Sequence, residues 1–317
     1  MAMAVLHSTE EWGARFGMGA RAAISVGNFD GLHLGHQKIL RLLAERARAS
    51  GQRSLVITFD PHPLRLLRPE IAPAMIQTLG QRLAGMEELG LDAALVLRFD
   101  RALSQVSPEE FMQRILVEGL SAGTILVGEN FCFGYRGAGN VKLLSEYGKA
   151  HGFAVEIVAP VEIGGRVVSS TAVRNAVLSG NVGEAIPLLG RAFSLSGEIR
   201  AGAGRGRQIL VPTLNLSPEQ ELLPKLGVYA TESVVAGRTY FSVTNVGTRP
   251  TFDGHGVTVE SHLFEFSELI SSGRMEVRFH SRIREEMKFS GAEALLEQIG
   301  RDIARAKEYF GEVRGKV

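Results

Sequence analysis

The sequence predicts an α/β protein of two domains: a doubly wound parallel-sheet half over residues 1–188, then a small β-barrel with a C-terminal helix over 189–317. Three observations predict it. At 317 residues the chain is longer than one hydrophobic core usually serves. Up to about Pro187 apolar strands alternate with amphipathic helices, the pattern of a parallel sheet covered on both faces. After Gly190 the texture changes to closely spaced alternating strands with glycine-rich turns, which reads as a small barrel or sandwich.

Taken in order, the first half should carry strands at Ala23–Val26, Ser54–Phe59, Ala93–Leu97, Thr124–Val127 and Ala154–Val158. Helices are expected between them, notably after Gly35, where Leu40, Leu43, Ala44 and Ala47 share a stripe, at Leu79–Leu89, and at Glu109–Val117 behind the cap signal Ser107-Pro108. The second half should carry strands at Phe193–Ile199, Leu214–Leu216, Gly227–Val235, Arg238–Val246, Thr258–Phe266 and Met275–Phe279. Its last helix is expected over Ala292–Phe310, with Leu296, Ile299, Ile303, Ala306 and Phe310 on the buried stripe. Arg282 and Arg284 read as solvated charges at a strand end.

Charge and cysteine content exclude several classes. Lys plus Arg number 35 against 34 Asp plus Glu, so no broad basic field exists for nucleic acid or an anionic membrane, and anion binding must be local. The single cysteine, Cys132, excludes an internal disulfide and fits a reducing compartment; between Phe131 and Phe133 it reads as a small buried hydrophobe. The start lacks the pattern of a signal peptide and no uncharged apolar run approaches a membrane span, so a cytoplasmic protein is expected. No motif speaks to oligomeric state.

The stretch Ile24-Ser-Val-Gly-Asn-Phe-Asp-Gly-Leu-His-Leu-Gly-His36 joins a buried strand to a helix through a glycine turn with two imidazoles. His33 and His36 fall at the helix N-terminus, where unpaired N–H groups and the helix dipole favour an anion, so the segment is suited to a triphosphate. Gly27, Asn28, Phe29 and Asp30 form its turn. The spacing is neither that of a Walker A loop nor that of a dinucleotide turn. It is similar to the His-x-Gly-His signature of the nucleotidyltransferase superfamily.

Ligands in open α/β sheets bind beyond the carboxyl ends of the strands, which directs attention to three further segments. Val127-Gly-Glu-Asn-Phe-Cys-Phe-Gly134 follows a strand; Gly128 and Asn130 fit either a plain turn or close approach by a nucleotide. Ser169-Ser-Thr-Ala-Val-Arg174 precedes a helix, so Ser169, Ser170 and Thr171 can cap it or hold phosphate, and Arg174 can grip a leaving pyrophosphate. Phe59-Asp-Pro-His-Pro63 ends a strand as a rigid turn in which Phe59, Pro61 and His62 can also meet substrate. These groups fit attack on the α-phosphorus of a nucleoside triphosphate, with His33, His36 and Arg174 as electrostatic stabilisers; an acceptor that is itself a phosphate needs no general base.

A second site is indicated by Gly202-Ala-Gly-Arg-Gly-Arg-Gln-Ile-Leu-Val-Pro-Thr-Leu-Asn215. Thr213 and Asn215 share one strand face, and a hydroxyl beside an amide oxygen suits a hard cation such as Mg²⁺ while Gly204 and Gly206 let the loop cover phosphates; a solvated hairpin is the plainer reading of that loop. On Val257–Phe266, Glu260 and His262 share a face opposite Val259 and Leu263, so Glu260 can serve as a base toward a hydroxyl acceptor or stand as a surface charge. Asn245–Phe252 either turns the chain or shapes the acceptor pocket.

Together, Gly27–His36, Gly128–Gly134, Ser169–Arg174, Pro212-Thr-Leu-Asn215 and Val259–Phe266 resemble, in that order, the signatures of the bacterial bifunctional riboflavin kinase/FAD synthetase family. The resemblance implies a Rossmann-like nucleotidyltransferase domain and a kinase barrel, with riboflavin, FMN and ATP as substrates. It implies that Thr213 and Asn215 contact magnesium and ATP, that Glu260 deprotonates the ribityl hydroxyl, and that the first half adenylylates FMN. Two positions depart from the family pattern: Ile209-Leu210-Val211 stands where Leu-Gly-Phe is expected, which bears on kinase turnover, and Asn130 stands where Asp is frequent. An adenylyltransferase with an impaired kinase half, and a non-enzymatic flavin carrier, are the alternatives.

Overall fold

A computed structural model describes residues 2–200, 213–251, 254–268 and 270–314. The chain divides into two compact units after Ser169. In the first, strands β1 (Ala4–Leu6), β2 (Ala22–Val26), β3 (Arg53–Asp60), β4 (Ala93–Arg98), β5 (Ala122–Gly128) and β8 (Ala154–Val158) form a parallel sheet in the order β1-β4-β3-β2-β5-β8. Two short antiparallel ribbons complete the strands of this unit, β6 (Cys132–Phe133) with β7 (Gly139–Asn140) and β9 (Glu162–Ile163) with β10 (Arg166–Val167).

Helices α1 (Thr9–Phe16), α2 (Leu34–Ala49), α3 (Pro63–Leu67), α4 (Leu79–Glu88), α5 (Arg101–Ser104), α6 (Pro108–Glu110) and α7 (Val141–His151) connect the strands. Successive strand residues face opposite sides, so Ile24, Leu55 and Leu95 enter one core with Trp12, Phe111 and Leu144. Ala23, Val56 and Ala94 enter the other, with Ile39, Leu40, Leu43 and Met86. Ile39, Leu40, Leu43, Ala44 and Ala47 are the buried stripe of α2, each large side chain contributing about 1.5–3 kcal/mol on burial.

The five strands expected in this half are present within a residue or two at each end. Edge strand β1 was not foreseen, because three residues are too few to display a period. The helix expected at Glu109–Val117 opens on a Ser107/Glu110 capping box and passes into a π-helical run, Phe111–Gly119. Cys132 is exposed, against the expectation of a buried hydrophobe. The reason is the two-residue period of β6, which turns Phe133 inward and leaves its neighbour outside.

The second unit holds α8 (Ser170–Ser179), α9 (Val182–Leu189), strands β11 (Phe193–Arg200), β12 (Leu214–Pro218), β13 (Gly227–Val235), β14 (Arg238–Thr251), β15 (Gly254–Leu263) and β16 (Arg274–Arg284), and the C-terminal helix Ala292–Arg314. The six strands close into an antiparallel barrel, β11-β12-β15-β14-β13-β16. This compact unit starts before the expected boundary at 188/189 because α8 and α9 lie against the barrel. Lys225 donates its backbone N–H to Val177, and a Cβ on Gly183 would stand 3.2 Å from the His280 carbonyl. β14 and β16 run further than their apolar alternation suggested, and β15 both starts earlier, at Gly254, and ends earlier, at Leu263, than expected.

Inside the barrel, Leu195, Leu216, Tyr229, Val259, Val277 and Phe279 are buried together with five hydroxyls. Ser233 meets Ser242 at 2.9 Å, Ser242 meets Thr231 at 2.8 Å, and Thr231 meets Thr244 at 2.7 Å. Thr244 meets Ser261, also at 2.7 Å. At Gly197 a Cβ would fall on the Ser217 carbonyl, so only glycine lets β11 and β12 approach this closely. Outside, Ala306 and Phe310 of the C-terminal helix pack on Val228, Ala230 and Val243.

Two expectations are corrected here. Leu296 is 39% exposed, because the helix reaches the barrel only from its middle onward. Arg284 is not a solvated charge: its Nη2 donates to Asp302 at 2.7 Å, and Asp302, 2% exposed, also accepts from Gln298. Arg282 is likewise largely covered and donates to the Leu226 carbonyl. A strand-end arginine opposite a helix carboxylate is an attachment point, and periodicity alone does not disclose the partner. Asp302→Ala should lower the stability of this unit by about 3–5 kcal/mol, the cost of a buried charge losing its partner. Urea unfolding followed by circular dichroism checks it, with fluorescence of Trp12, the chain's one tryptophan and buried in the first unit, as internal reference.

Candidate functional site

Within the first unit, strand order reverses at β2: β3, β4 and β1 lie on one side and β5 and β8 on the other. Open parallel sheets bind ligands beyond the carboxyl ends of their strands at such a point. Three of the segments singled out in the sequence leave from there. Gly27–His36 follows β2, Gly128–Gly134 follows β5, and Phe59–Pro63 ends β3, the neighbour of β2 on its other side.

The turn after β2 is tightly constrained. Phe29 and Leu32 adopt left-handed φ values of 50° and 41°, uncommon for bulky side chains, and both are buried. Gly31 has φ +86°, and a Cβ there would approach Ile76 to 2.9 Å, so glycine is required. The turn delivers His33 as the N-cap of α2, its Nδ1 accepting the backbone N–H of His36 at 3.3 Å. With Nδ1 accepting, the neutral ring carries its proton on Nε2.

His33 and His36 are stacked, centroids 3.6 Å apart. Phe29 meets the His36 ring edge-on at 5.2 Å. Burial, and secondly the neighbouring His33, hold the His36 imidazole well below its ordinary pKa, so it is neutral near pH 7. Its Nδ1 is enclosed, with no hydrogen-bond partner among the described residues.

The other turn residues are committed differently. The Asp30 carboxylate accepts the backbone N–H groups of Ile76 and Gln77, all at 3.1 Å, and thereby holds the approach to α4. Asn28 faces two ways. Its amide nitrogen, Nδ2, lies 3.1 Å from His62 Nε2, and His62 Nδ1 accepts Leu64 N–H as the cap of α3. Its backbone carbonyl accepts from Arg82 at 2.8 Å. Phe59 packs edge-on against Phe99, Asp60-Pro61 is a cis peptide, and His62 caps α3 with Pro63 in its first turn, so the segment turns where the prolines suggested.

Arg82 and Thr58 escaped sequence reasoning. Arg82 could have been found, because it occupies the buried stripe of α4 together with Met86, where a charge is out of place. Asn130 and its neighbours stay at the surface, and Gly128 has open space where a side chain would stand. Ser169 closes the first unit, whereas Ser170, Thr171 and Arg174 belong to α8 in the second. The segment expected to precede a helix instead forms its first turns: Ser170 is the first residue of α8 and Thr171 and Arg174 lie within it, with Ser169 alone before it.

In the second unit, register brings a row of polar residues together across the outer barrel face. Asn215 is paired with Glu260, and Glu260 on its other side with Asn245. His262 follows Glu260 on the same face, with Val259, Ser261 and Leu263 turned inward. Thr213, exposed, precedes β12 and shares the side of Asn215. Gly204, Gly206 and Ile209–Val211 lie outside the described residues. Oxygen donors at Thr213 and Asn215, one register position from a carboxylate, form a hard donor set suited to a magnesium–phosphate complex.

Comparison with known proteins agrees with this division. The family model for FAD synthetase matches residues 18–172 and that for riboflavin kinase residues 189–310. The bifunctional riboflavin kinase/FMN adenylyltransferase of Pseudomonas fluorescens is 39% identical over 89% of this chain and 91% of its own. Those of Escherichia coli K12 and Bacillus subtilis are 35% and 32% identical, over 91% and 93% of this chain and 92% and 94% of theirs. A solved structure described as a macrolide-efflux protein of Streptococcus pneumoniae superposes with TM-score 0.85 and 27% identity, covering 97% of this chain and 99% of that one. Among the described residues no helix is long and apolar enough to cross a membrane.

The depressed His36 pKa makes a prediction. An imidazole that resists protonation when folded binds more protons unfolded, so its stabilising contribution is full above about pH 6.5 and declines as pH falls below that. Urea midpoints from Trp12 fluorescence should be lower near about pH 5 than near about pH 7.5, and His36→Gln should flatten that difference.

Proposed function

The chain belongs to the bifunctional riboflavin kinase/FMN adenylyltransferase family: it phosphorylates riboflavin with ATP to give FMN and transfers AMP from ATP to FMN, giving FAD and pyrophosphate. On that premise we propose that residues 1–188 carry adenylyl transfer and 189–317 carry the kinase, and that the residues of the two sites act as follows. The family matches over 18–172 and 189–310 support the division.

In the first site the turn Gly27–Asp30 and the N-terminus of α2 hold the ATP phosphates, with Gly128 and Asn130 on the nucleoside side. Phe59, Pro61 and His62 meet the flavin. An FMN phosphate oxygen attacks the α-phosphorus, the bond to the bridging oxygen breaks, and pyrophosphate leaves with the electron pair. The attacking phosphate is already anionic, so no base is needed and catalysis consists of alignment and charge stabilisation. His33, through Nε2–H, and His36, as a neutral ring donor, stabilise the charge. Asp30 acts on the turn from behind, through the Ile76 and Gln77 amides. The observation that carries this reading is the stacked His33/His36 pair at the head of α2, with the His36 ring held neutral.

In the second site Glu260 takes the proton of the ribityl hydroxyl as its oxygen attacks the γ-phosphorus and ADP departs. Thr213 and Asn215 are the residues that would hold Mg²⁺, with Gly204 and Gly206 over the phosphates. Bound there, Mg²⁺ supplies positive charge to the transferring phosphoryl group. We place the protein in the cytoplasm, in keeping with its lone cysteine, and assign it neither nucleic acid nor membrane as partner, in keeping with its near-zero net charge.

Chromatographic separation of flavins after incubation with ATP and Mg²⁺, starting from riboflavin and separately from FMN, tests both halves. His36→Ala should reduce FAD formation by at least about 10²-fold while FMN still accumulates from riboflavin. Equal loss of both products would refute separate sites. Glu260→Gln should lower kinase kcat by about 10²- to 10⁴-fold with adenylylation of supplied FMN intact, and an unchanged kcat would assign the proton to another group.

A further inference from the structure

Arg82 belongs to neither set of groups just described, yet it is a charged side chain only 1% exposed, in the first full turn of α4. Its Nη1 donates to the Asn28 carbonyl at 2.8 Å and to the Thr58 hydroxyl at 3.1 Å. Its Nη2 stands 3.7 Å from Asp60. Burial makes this cation costly and Asp30 and Asp60 offset part of the cost. One guanidinium therefore bridges two arms of the site: Asn28 in the turn after β2, and Thr58 and Asp60 at the end of β3, immediately before Pro61 and His62.

Gly27 N–H, which donates to the Ile57 carbonyl at 3.0 Å, and the Thr58 hydroxyl, which donates to the Asn28 carbonyl at 3.3 Å, also tie the arms, and the guanidinium adds a charged link that reaches Asn28, Thr58 and Asp60 together. The turn contains two left-handed non-glycine residues, a conformation that persists only when the surroundings hold it. The Asn28 amide already reaches across to His62, and the Arg82 grip on the Asn28 carbonyl orients that amide. The planar, always-charged fork of arginine suits two acceptors and a carboxylate at once; a lysine ammonium does not reproduce that geometry.

We infer that Arg82 is a positioning residue for adenylyl transfer, fixing the turn that holds the triphosphate relative to the Phe59–Pro63 segment that receives the flavin. The inference rests on the assignment of those two segments to ATP and flavin made above. It touches neither substrate. Its effect is on alignment of the FMN phosphate with the α-phosphorus, where a displacement of about 1 Å costs about 10²-fold.

The test uses the full chain, with Arg82→Met, Arg82→Lys and, as reference, His36→Ala. Each is assayed at temperatures below its measured unfolding transition, with riboflavin phosphorylation on the same chain as the control for intact protein. For Arg82→Met, kcat of FMN adenylylation should fall about 10²-fold, and for Arg82→Lys about 10-fold, with KM for ATP and FMN within about threefold and kinase turnover unchanged. A role limited to holding the fold would lower the melting temperature and leave kcat of the folded enzyme intact; unchanged kcat, or a rise confined to KM, overturns the inference. If His36→Ala loses adenylylation while the Arg82 variants keep it, the inference alone fails. If all three keep it, the site assignment fails with it. Should neither Arg82 variant fold, Thr58→Val, which removes one acceptor of the guanidinium at a fully buried position, carries the same kcat-against-KM comparison with an expected loss of about threefold or more.

Discussion

The first unit is organised by one constraint: the chain leaving β2 at Val26 must reverse into α2 at Leu34 through seven residues, and arrive with a helix N-terminus facing the open end of the sheet. Glycine at position 31 makes the reversal feasible, but Phe29 and Leu32 still occupy an unfavourable region of backbone space. What holds them there comes from elsewhere in the chain. The 76–82 segment supplies amides for the Asp30 carboxylate and a guanidinium for the Asn28 carbonyl, so a negative and a positive anchor act on the same turn a few residues apart. The histidines inherit their geometry from this arrangement.

The barrel solves a different problem. Its strands carry two sets of residues with period two, and closure sends one set to a buried interior and the other to faces available for helix packing or chemistry. Glu260 is outside because Val259 and Ser261 are inside. The row Asn215, Glu260, Asn245 exists because three strands pair in one register, so a one-residue slip of β15 would replace the carboxylate with an inward-type residue. The Arg284–Asp302 pair then fastens the C-terminal helix at the end of β16.

Much of this was legible in the residues. Alternation and helical stripes disclosed every long strand and the main helices, because those patterns are local and each repeats several times. The His33/His36 turn was legible since glycines, a strand and a helix in that order have few other uses. What escaped was relational. Arg282 and Arg284 resembled surface charges because their acceptors lie on segments remote in sequence. Arg82 escaped notice because its partners come from the turn after β2 and from the end of β3, both remote in sequence. The outward turn of Cys132 followed from a strand of two residues, too short to read.

The run of hydroxyls inside the barrel constrains how this sequence can diverge. Ser233, Ser242, Thr231, Thr244 and Ser261 each serve a neighbour as donor or acceptor, so trimming an inner member to alanine strands two others in a buried interior. Replacing the whole series with aliphatic side chains leaves nobody stranded. Descendants of this protein are therefore expected to keep the seam intact or to have exchanged it wholesale, with few surviving halfway; the barrel interior drifts in blocs.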